Sequence, residues 1–308
     1  MLKSSVLSIL CNATGGSDMV DFVLLTDSCC DLPAEMAQEM QLEVLPLTVY
    51  MDEAEYRNYL DEREISYEDF YARLHTVKVT KTSAVNQHTF ITAMESILQA
   101  GKDLLYIGFS SGLSGTYSAG MLAARELQEK YPERKIYAVD SLCASMGQGL
   151  LVWHAWQKKQ AGMSIEQVRD WVEDNKLNLC HWFTVNDLMH LKRGGRVSAT
   201  TALVGTVLSI KPVMHVDDEG HLIPMSKARG RKASLRALVN EMKATAIEPE
   251  NQVIFISHGD SLEDAEYLAN MIREELHVKD VIINYVGPVI GAHTGPGVIA
   301  LFFLGTKR

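Results

Sequence analysis

The chain has 308 residues and a formal net charge of −10, with 47% hydrophobic and 22% charged residues. This length and composition predict an ordinary globular protein of two domains. The acidic balance argues against a nucleic-acid backbone as the main partner, because phosphate binding requires clustered positive charge. The absence of a long apolar run predicts no stable insertion into a membrane.

The five cysteines form no CxxC pair, which argues against a zinc knuckle. Reduced thiols and a cytoplasmic location are the simplest interpretation. We predict no metal site and no cofactor. Residues 1–20 are predicted to be a poorly ordered N-terminal extension, since Met19 stands just before the first clear strand.

Strands and helices alternate through the first half of the chain, which predicts a parallel sheet with helices on both faces. The predicted strands are Phe22–Thr26, Val44–Val49, Leu104–Phe109 and Ile136–Val139. The predicted helices are Pro33–Met40, Tyr67–Leu74, Asn86–Ala100, a segment ending near Lys130, Ala144–Gln160 and Ile165–Asn175. Residues 52–64 are predicted as an exposed hairpin and residues 78–83 as a loop.

The second half has a less regular pattern and is predicted to be an α+β domain with a mixed sheet. Its predicted strands are Leu179–Thr184, Pro212–Val216, Leu222–Pro224, Val253–Ser257, Val281–Val286 and Val298–Leu304. Its predicted helices are Asp187–Lys192, Thr200–Ile210, Lys232–Ala246 and Leu262–Leu276. A boundary near residue 178 divides the chain into an N-terminal domain, residues 21–178, and a C-terminal domain, residues 179–308.

The turn Ser110–Thr116 follows a strand and opens a helix, where ligands bind in parallel α/β sheets. Free N–H groups at a helix start favour an anion there. The turn is neither a phosphate-binding P-loop nor a dinucleotide fingerprint, because the glycine spacing differs. A simple helix cap made by Ser114 is the structural alternative.

Three other segments carry candidate chemistry. The hydroxyls of Thr82 and Ser83 could bind a carboxylate or phosphate, or could cap the next helix. Arg193 and Arg196 flank a glycine pair and could bind an oxyanion, or could lie on a solvated turn. His293 lies in residues 287–297, a stretch rich in glycine and proline that we predict to be a loop. A lone histidine is more often structural, but a histidine in such a loop is a better site candidate.

Taken together, these motifs resemble the DegV family of fatty-acid-binding proteins from about residue 21 to the end. The matching segments in the first half are Thr26-Asp27-Ser28, Asp31-Leu32-Pro33, Lys81-Thr82-Ser83, Ser110 to Tyr117 and Val139-Asp140-Ser141. Those in the second half are Leu191 to Arg196, Lys211-Pro212-Val213, Arg229 to Lys232, His258-Gly259-Asp260 and Gly287 to Gly297. Two positions depart from the family pattern: Ala84-Val85 follows Thr82-Ser83 where Gln-Pro is usual, and Cys29-Cys30 replaces Thr-Ala.

The resemblance implies a two-domain α/β protein with one long-chain fatty acid between the domains. It implies that the chain is a binding protein without its own ATP site. A separate ATP-dependent fatty-acid kinase would phosphorylate the presented acid for phospholipid synthesis. The implied carboxylate-binding residues are Thr82, Ser83, Ser110, Ser111, Ser114, His293 and Arg193, with Ser111 as the favoured serine of its turn. Arg196 is implied to contact the kinase.

Two alternatives remain open at this level. The first is a dihydroxyacetone-kinase-like enzyme that acts on a small phosphorylated or keto substrate, with His293 as a covalent or acid–base residue. The second is a regulatory adaptor that uses the five basic residues between Lys227 and Arg236. The apolar segment Thr200–Ile210 is a candidate wall for an acyl tail, although an ordinary core helix has the same pattern.

Overall fold

The computed structural model describes residues 21–198 and 210–308. The predicted extension, residues 1–20, and nearly all of the predicted helix Thr200–Ile210 lie outside these described residues. Ile210, the last residue of that predicted helix, is instead the first residue of a strand. Within the described ranges, no helix is long and apolar enough to cross a membrane.

The bounds of the elements follow the chain order. The strands are β1 (Phe22–Asp27), β2 (Glu43–Leu45), β3 (Thr48–Met51), β4 (Ala54–Arg57), β5 (Thr80–Ser83), β6 (Asp103–Gly108), β7 (Ile136–Asp140), β8 (Leu179–Thr184), β9 (Ile210–Val216), β10 (Leu222–Arg229), β11 (Val253–His258), β12 (Asp280–Tyr285) and β13 (Ile299–Leu304). The helices are α1 (Ala34–Glu39), α2 (Tyr67–Leu74), α3 (Gln87–Gln99), α4 (Thr116–Lys130), α5 (Met146–Gln160), α6 (Ile165–Asn175), α7 (Leu188–Arg193), α8 (Arg231–Thr245), α9 (Leu262–Leu276) and α10 (Pro288–Thr294). Short 3₁₀ turns cover Ser28–Cys30, Lys176–Asn178 and Pro249–Asn251.

The first half contains a four-stranded sheet in the order β2-β1-β6-β7, and all of its strand pairs are parallel. Every residue of β6 is buried, as expected of a central strand covered on both faces. The carboxyl ends of β1, β6 and β7 lead into Ser28, Phe109 and Ser141 at one edge of the sheet. This arrangement confirms the predicted parallel α/β organisation.

The predicted strand Val44–Val49 is in fact two strands that belong to different sheets. Pro46 separates them, and a proline cannot donate a hydrogen bond to a sheet ladder. β2 pairs with β1, whereas β3 is the centre of a small antiparallel sheet in the order β4-β3-β5. The predicted loop at residues 78–83 was therefore wrong in part, because Thr80–Ser83 forms β5 and Thr82 pairs with Val49.

The second half contains a six-stranded sheet in the order β10-β9-β8-β13-β11-β12. Only the β11–β12 pair is parallel, so the sheet is mixed, as predicted. α8 and α9 pack on one face through an apolar cluster that includes Leu238, Leu268 and Phe303. The other face points towards the first half of the chain, where Phe183 and Phe302 join one core cluster with Leu105 from β6.

The predicted loop at residues 287–297 was wrong, because its first part is the helix α10. Pro288 occupies the first turn, where a proline suits a helix, and the glycine at position 295 ends the helix with a φ of 72°. The same glycines and prolines that suggested an irregular loop are thus start and stop signals of a short helix. α10 packs against α2 and α7 and is largely buried.

Candidate ligand-binding site

A cavity of about 200 Å³ lies where the six-stranded sheet faces the first half of the chain. Its floor is one face of that sheet. Ser257, Ala300 and Phe183 are register partners across β11, β13 and β8, and all three line the cavity. His181 and Phe302, which pair two residues further along β8 and β13, line it as well.

The opposite walls come from loops and short elements that are distant in sequence. β5 contributes Thr82 and Ser83, the turn after β6 contributes Leu113 and Ser114, and Ser145 precedes α5. α7 and the residues after it contribute Leu191 and Arg196, and α10 contributes Val289, Ile290, His293 and Thr294. Apolar side chains dominate the lining, so the few polar groups on the wall determine which ligand can be held.

Thr82 and His293 form the central polar contact of this wall. Thr82 Oγ1 lies 2.8 Å from His293 Nε2, and both groups are partly buried. Burial, together with the nearby positive charge of Arg196, lowers the pKa of His293 from 6.5 to about 4. The imidazole is therefore uncharged at neutral pH, and one ring nitrogen donates a hydrogen bond while the other accepts.

Gly194 allows the His293 ring to occupy this position. A Cβ atom at Gly194 would overlap His293 Nδ1. Gly194, the first residue of the glycine pair between Arg193 and Arg196, therefore has a specific steric role, because only a residue without a side chain lets the α7 turn approach the imidazole so closely.

The structure places Arg196, and not Arg193, on the cavity lining. Arg196 is half-buried, lines the cavity, and donates hydrogen bonds to the carbonyls of Gly194 at 2.6 Å and Leu113 at 3.1 Å. Burial lowers the pKa of its guanidinium. Arg193 is exposed and does not line the cavity. The physical reason is that α7 ends at Arg193 with its side chain directed to solvent, and the following turn carries Arg196 inwards.

Four serines were predicted at the site, and the structure brings two of them to the cavity. Ser83 and Ser114 line it. Ser110 is fully buried, and its hydroxyl donates to the carbonyl of Gly220 at 2.9 Å, so the group is used to hold the β9–β10 hairpin. Ser111 is exposed, and its backbone N–H donates to Asp140. The preference for Ser111 stays a prediction, whereas Ser114 lines the cavity and its Oγ also accepts from the N–H of Thr116 at the start of α4.

Several polar residues of the cavity were missed from the sequence. Ser145, Ser257 and His181 line it, and the buried Asp31 contacts Ser145. Ser257 is the last residue but one of the buried strand β11, beside His258, but an adjacent Ser-His pair cannot form a triad and gave no reason to select it. The φ of 54° at Ser145 has no counterpart in the sequence pattern. No local signal would have grouped these residues.

Comparisons with known proteins agree with this architecture. A family model described as "Uncharacterised protein, DegV family" matches residues 21–306. A DegV domain-containing protein of Clostridium perfringens is 48% identical over 290 residues, which cover 94% of this chain and 99% of the relative.

Solved structures with similar folds include a DegV family protein from Thermus thermophilus, described by its fatty acid binding. It has a TM-score of 0.84 and 28% identity, over 92% of this chain and 99% of that one. DegV from Bacillus subtilis, described as a fatty acid binding protein, has a TM-score of 0.80 and 27% identity, over 93% and 100% of the two chains.

The contact between Gly194 and His293 gives a direct test of the site geometry. We expect Gly194→Ala to displace the imidazole from its buried position and to raise the pKa of His293 from about 4 towards 6.5, because burial is the main cause of its depression. An NMR titration of the histidine side chains measures this value.

Gly195→Ala is the matched control. A side chain there would meet no atom within 4 Å, although the φ of 72° makes the substitution strained. It should therefore lower stability while leaving the pKa of His293 unchanged. An unaltered His293 titration in Gly194→Ala would contradict the proposed steric role of the glycine.

Proposed function

The chain belongs to the DegV family, and from this premise we propose that it binds one long-chain fatty acid in the cavity where the six-stranded sheet faces the first half of the chain. The observation that carries this proposal is an apolar cavity whose wall includes the Thr82–His293 pair. The fatty-acid binding described for the Thermus thermophilus and Bacillus subtilis relatives supports the same ligand class. We also propose the division near residue 178, which places the ligand between two domains, since both halves line the cavity.

Tail and head group contribute differently to the binding free energy. Burial of the tail stabilises the complex by about 0.8 kcal/mol per methylene group, less the free energy needed to order the chain. An ionised carboxylate left unpaired in the cavity would cost several kcal/mol, on the order of the desolvation penalty of a charge. The apolar floor therefore supplies affinity, and the polar wall fixes the orientation.

The carboxylate is placed against Thr82, Ser83, Ser114, His293 and Arg196. A carboxylate can only accept hydrogen bonds, so the Thr82 hydroxyl must donate to it. His293 then donates from Nε2 to Thr82 Oγ1 across the 2.8 Å contact. The bound negative charge also favours the protonated imidazole, so binding should raise the pKa of His293. Arg196 adds positive charge without leaving the turn that it bridges.

We further propose that the protein presents this carboxylate to a separate ATP-dependent kinase for acyl-phosphate formation. The chain itself is proposed to lack an ATP site, because its sequence has no phosphate-binding P-loop. The exposed Lys192 and Arg193 lie on α7, beside the cavity residues Leu191 and Arg196, and form a basic docking surface. A cytoplasmic location fits the four buried, unpaired cysteines of the described segments.

Native mass spectrometry of protein purified from bacteria tests the ligand class. We expect a non-covalent adduct with the mass of one long-chain fatty acid, released on denaturation. A covalent adduct would favour the kinase-like enzyme with a reactive His293. An empty protein that also fails to bind added fatty acid would reject the proposal.

The substitution Thr82→Val tests the carboxylate contact. Valine keeps the β-branched shape that suits β5 but removes the hydroxyl, and a hydrogen bond to a charged group contributes about 1.5–3 kcal/mol. We therefore expect fatty-acid affinity to fall by about tenfold or more, as measured by isothermal titration calorimetry. Thr80→Val, in the same strand but away from the cavity lining, is the control. Equal losses in both variants would point to a general effect on β5.

Reversal of the charge at Arg193 distinguishes docking of the kinase from binding of the fatty acid. We expect Arg193→Glu to reduce phosphorylation of the bound acid by the kinase while leaving fatty-acid affinity unchanged, because Arg193 is exposed and outside the cavity. Phosphorylation rate and affinity are measured on the same preparation. Arg125→Glu makes the same charge change at an exposed position of α4 and should affect neither quantity. Loss of lipid binding in Arg193→Glu would refute the assignment.

A further inference from the structure

A second polar group lies on the cavity wall, separate from the Thr82–His293 pair. Ser145 Oγ lies 2.9 Å from Ser257 Oγ and donates to Asp31 Oδ2 at 2.6 Å. Ser145 is 5% exposed, and Ser257 and Asp31 are 0% exposed. We call these three residues the inner polar cluster. Ser145 and Ser257 both line the cavity, so the cluster meets the space that the acyl chain would occupy.

The position of the Ser145 hydroxyl in this cluster depends on a strained backbone conformation, which costs free energy. Ser145 has a φ of 54° and a ψ of −146°, a conformation that residues with side chains rarely adopt. Such a conformation costs on the order of 1–3 kcal/mol and persists only where the surrounding structure requires it. Strain of this kind is concentrated at ligand-binding positions, and here it directs a hydroxyl towards Asp31 at the cavity wall.

The cluster has unused hydrogen-bonding capacity. A hydroxyl can donate one hydrogen bond and accept two. Because Ser145 gives its one proton to Asp31, Ser257 Oγ donates to Ser145, and among the described residues no hydrogen bond to the acceptor sites of Ser257 Oγ is found. Asp31 lies behind Ser145 and next to the backbone of Gly287, and burial raises its pKa to about 8. Buried polar groups normally have their partners, because an unpaired one costs about 1–3 kcal/mol. The serine hydroxyls at the cavity surface can therefore bond a ligand.

The length of α10 gives the distance between the inner polar cluster and the carboxylate site at Thr82 and His293. The start of this helix lies beside the cluster, since a Cβ atom at Gly287 would lie 2.6 Å from Asp31 Oδ1. His293, near its end, contacts Thr82. Six residues of helix rise by roughly 9 Å. An acyl chain anchored at Thr82 and His293 would thus reach the inner polar cluster part of the way along its length.

We propose that the inner polar cluster is a second subsite, which accepts a hydroxyl group carried in the middle of the acyl chain. The ligand class is then a hydroxylated long-chain fatty acid, an inference that rests on the proposed binding of fatty acids in this cavity. Since Ser145 donates to Asp31 and Ser257 donates to Ser145, acceptor sites are left on Ser257 Oγ, to which a ligand hydroxyl can donate. A plain alkyl chain leaves that capacity unused, and a hydroxyl elsewhere on the chain is buried without a partner.

The test is a comparison of positional isomers. We would measure by calorimetry the affinity of the full-length protein for stearic acid and for hydroxystearic acids with the hydroxyl near the carboxylate, in mid-chain and near the methyl end. The expected result is that one mid-chain isomer binds about tenfold or more tightly than the isomers hydroxylated near either end, since these bury an unpaired hydroxyl. Equal affinity for all positions would overturn the proposal.

Substitution of Ser257 assigns the preference to the cluster. Ser257→Ala should abolish the mid-chain preference, so that the ratio of the affinities for the mid-chain isomer and for stearic acid falls by about tenfold. Ser234→Ala removes the hydroxyl of a buried serine in α8 that does not line the cavity, and it should preserve the preference. Retention of the preference in Ser257→Ala, or an equal loss for stearic and hydroxystearic acid, would assign the cluster a structural role only.

A second variant covers the case in which Ser257→Ala does not fold. Ser145→Gly removes the neighbouring hydroxyl, and glycine adopts a positive φ without strain, so the backbone of this segment is retained. It should lose the mid-chain preference as well, and a melting curve verifies that it folds. Failure of the unmodified protein to bind stearic acid or any isomer would reject the proposed function itself, whereas tight binding without a positional preference would reject only this inference.

Discussion

The hydrogen bond between Thr82 and His293 joins residues that are 211 positions apart in the chain. It requires β5 to pair with β3, α10 to end beside α7, and the α7 turn to come close enough to accommodate the imidazole. Each of these conditions comes from a different part of the fold. The contact therefore depends on the correct packing of the two halves of the chain. It places a hydroxyl and an imidazole at one end of a cavity that is otherwise lined mainly by apolar side chains.

Burial determines the charge state of His293 at the polar end of the cavity. Protonation of the His293 imidazole is unfavourable for two reasons: the charged ring would lose hydration on burial, and it would be repelled by the guanidinium of Arg196. These two effects lower the pKa of His293 to about 4. A neutral histidine can orient the Thr82 hydroxyl without itself being a fixed charge. An incoming carboxylate then brings the negative charge that the site lacks, so ligand and wall complement one another.

The remainder of the wall follows the same rule for buried polar groups. Ser110 is fully buried but has a carbonyl partner, and it serves the fold by holding the β9–β10 hairpin. Ser145 and Ser257 are buried at the cavity surface with bonding capacity to spare. The difference between a structural serine and a candidate binding serine is thus the number of partners that the surrounding residues supply, and residue type carries no information about it.

The sequence alone determined the elements and their order, because hydrophobic periodicity and capping residues act locally. β8, α2 and α9 were predicted with their observed bounds, and the structure shows Ser66 as the cap of α2. It also indicated the segments that surround the cavity, through motifs that resemble one family. Residues that depend on contacts between distant segments could not be read in this way. Tertiary packing decided which of these side chains reach the cavity. Arg196 turns inwards while Arg193 and Ser111 are exposed, because side chains close in sequence can lie on opposite sides of a turn. Asp31, Ser145 and Ser257 meet because residues that share a cavity come from segments far apart in the chain.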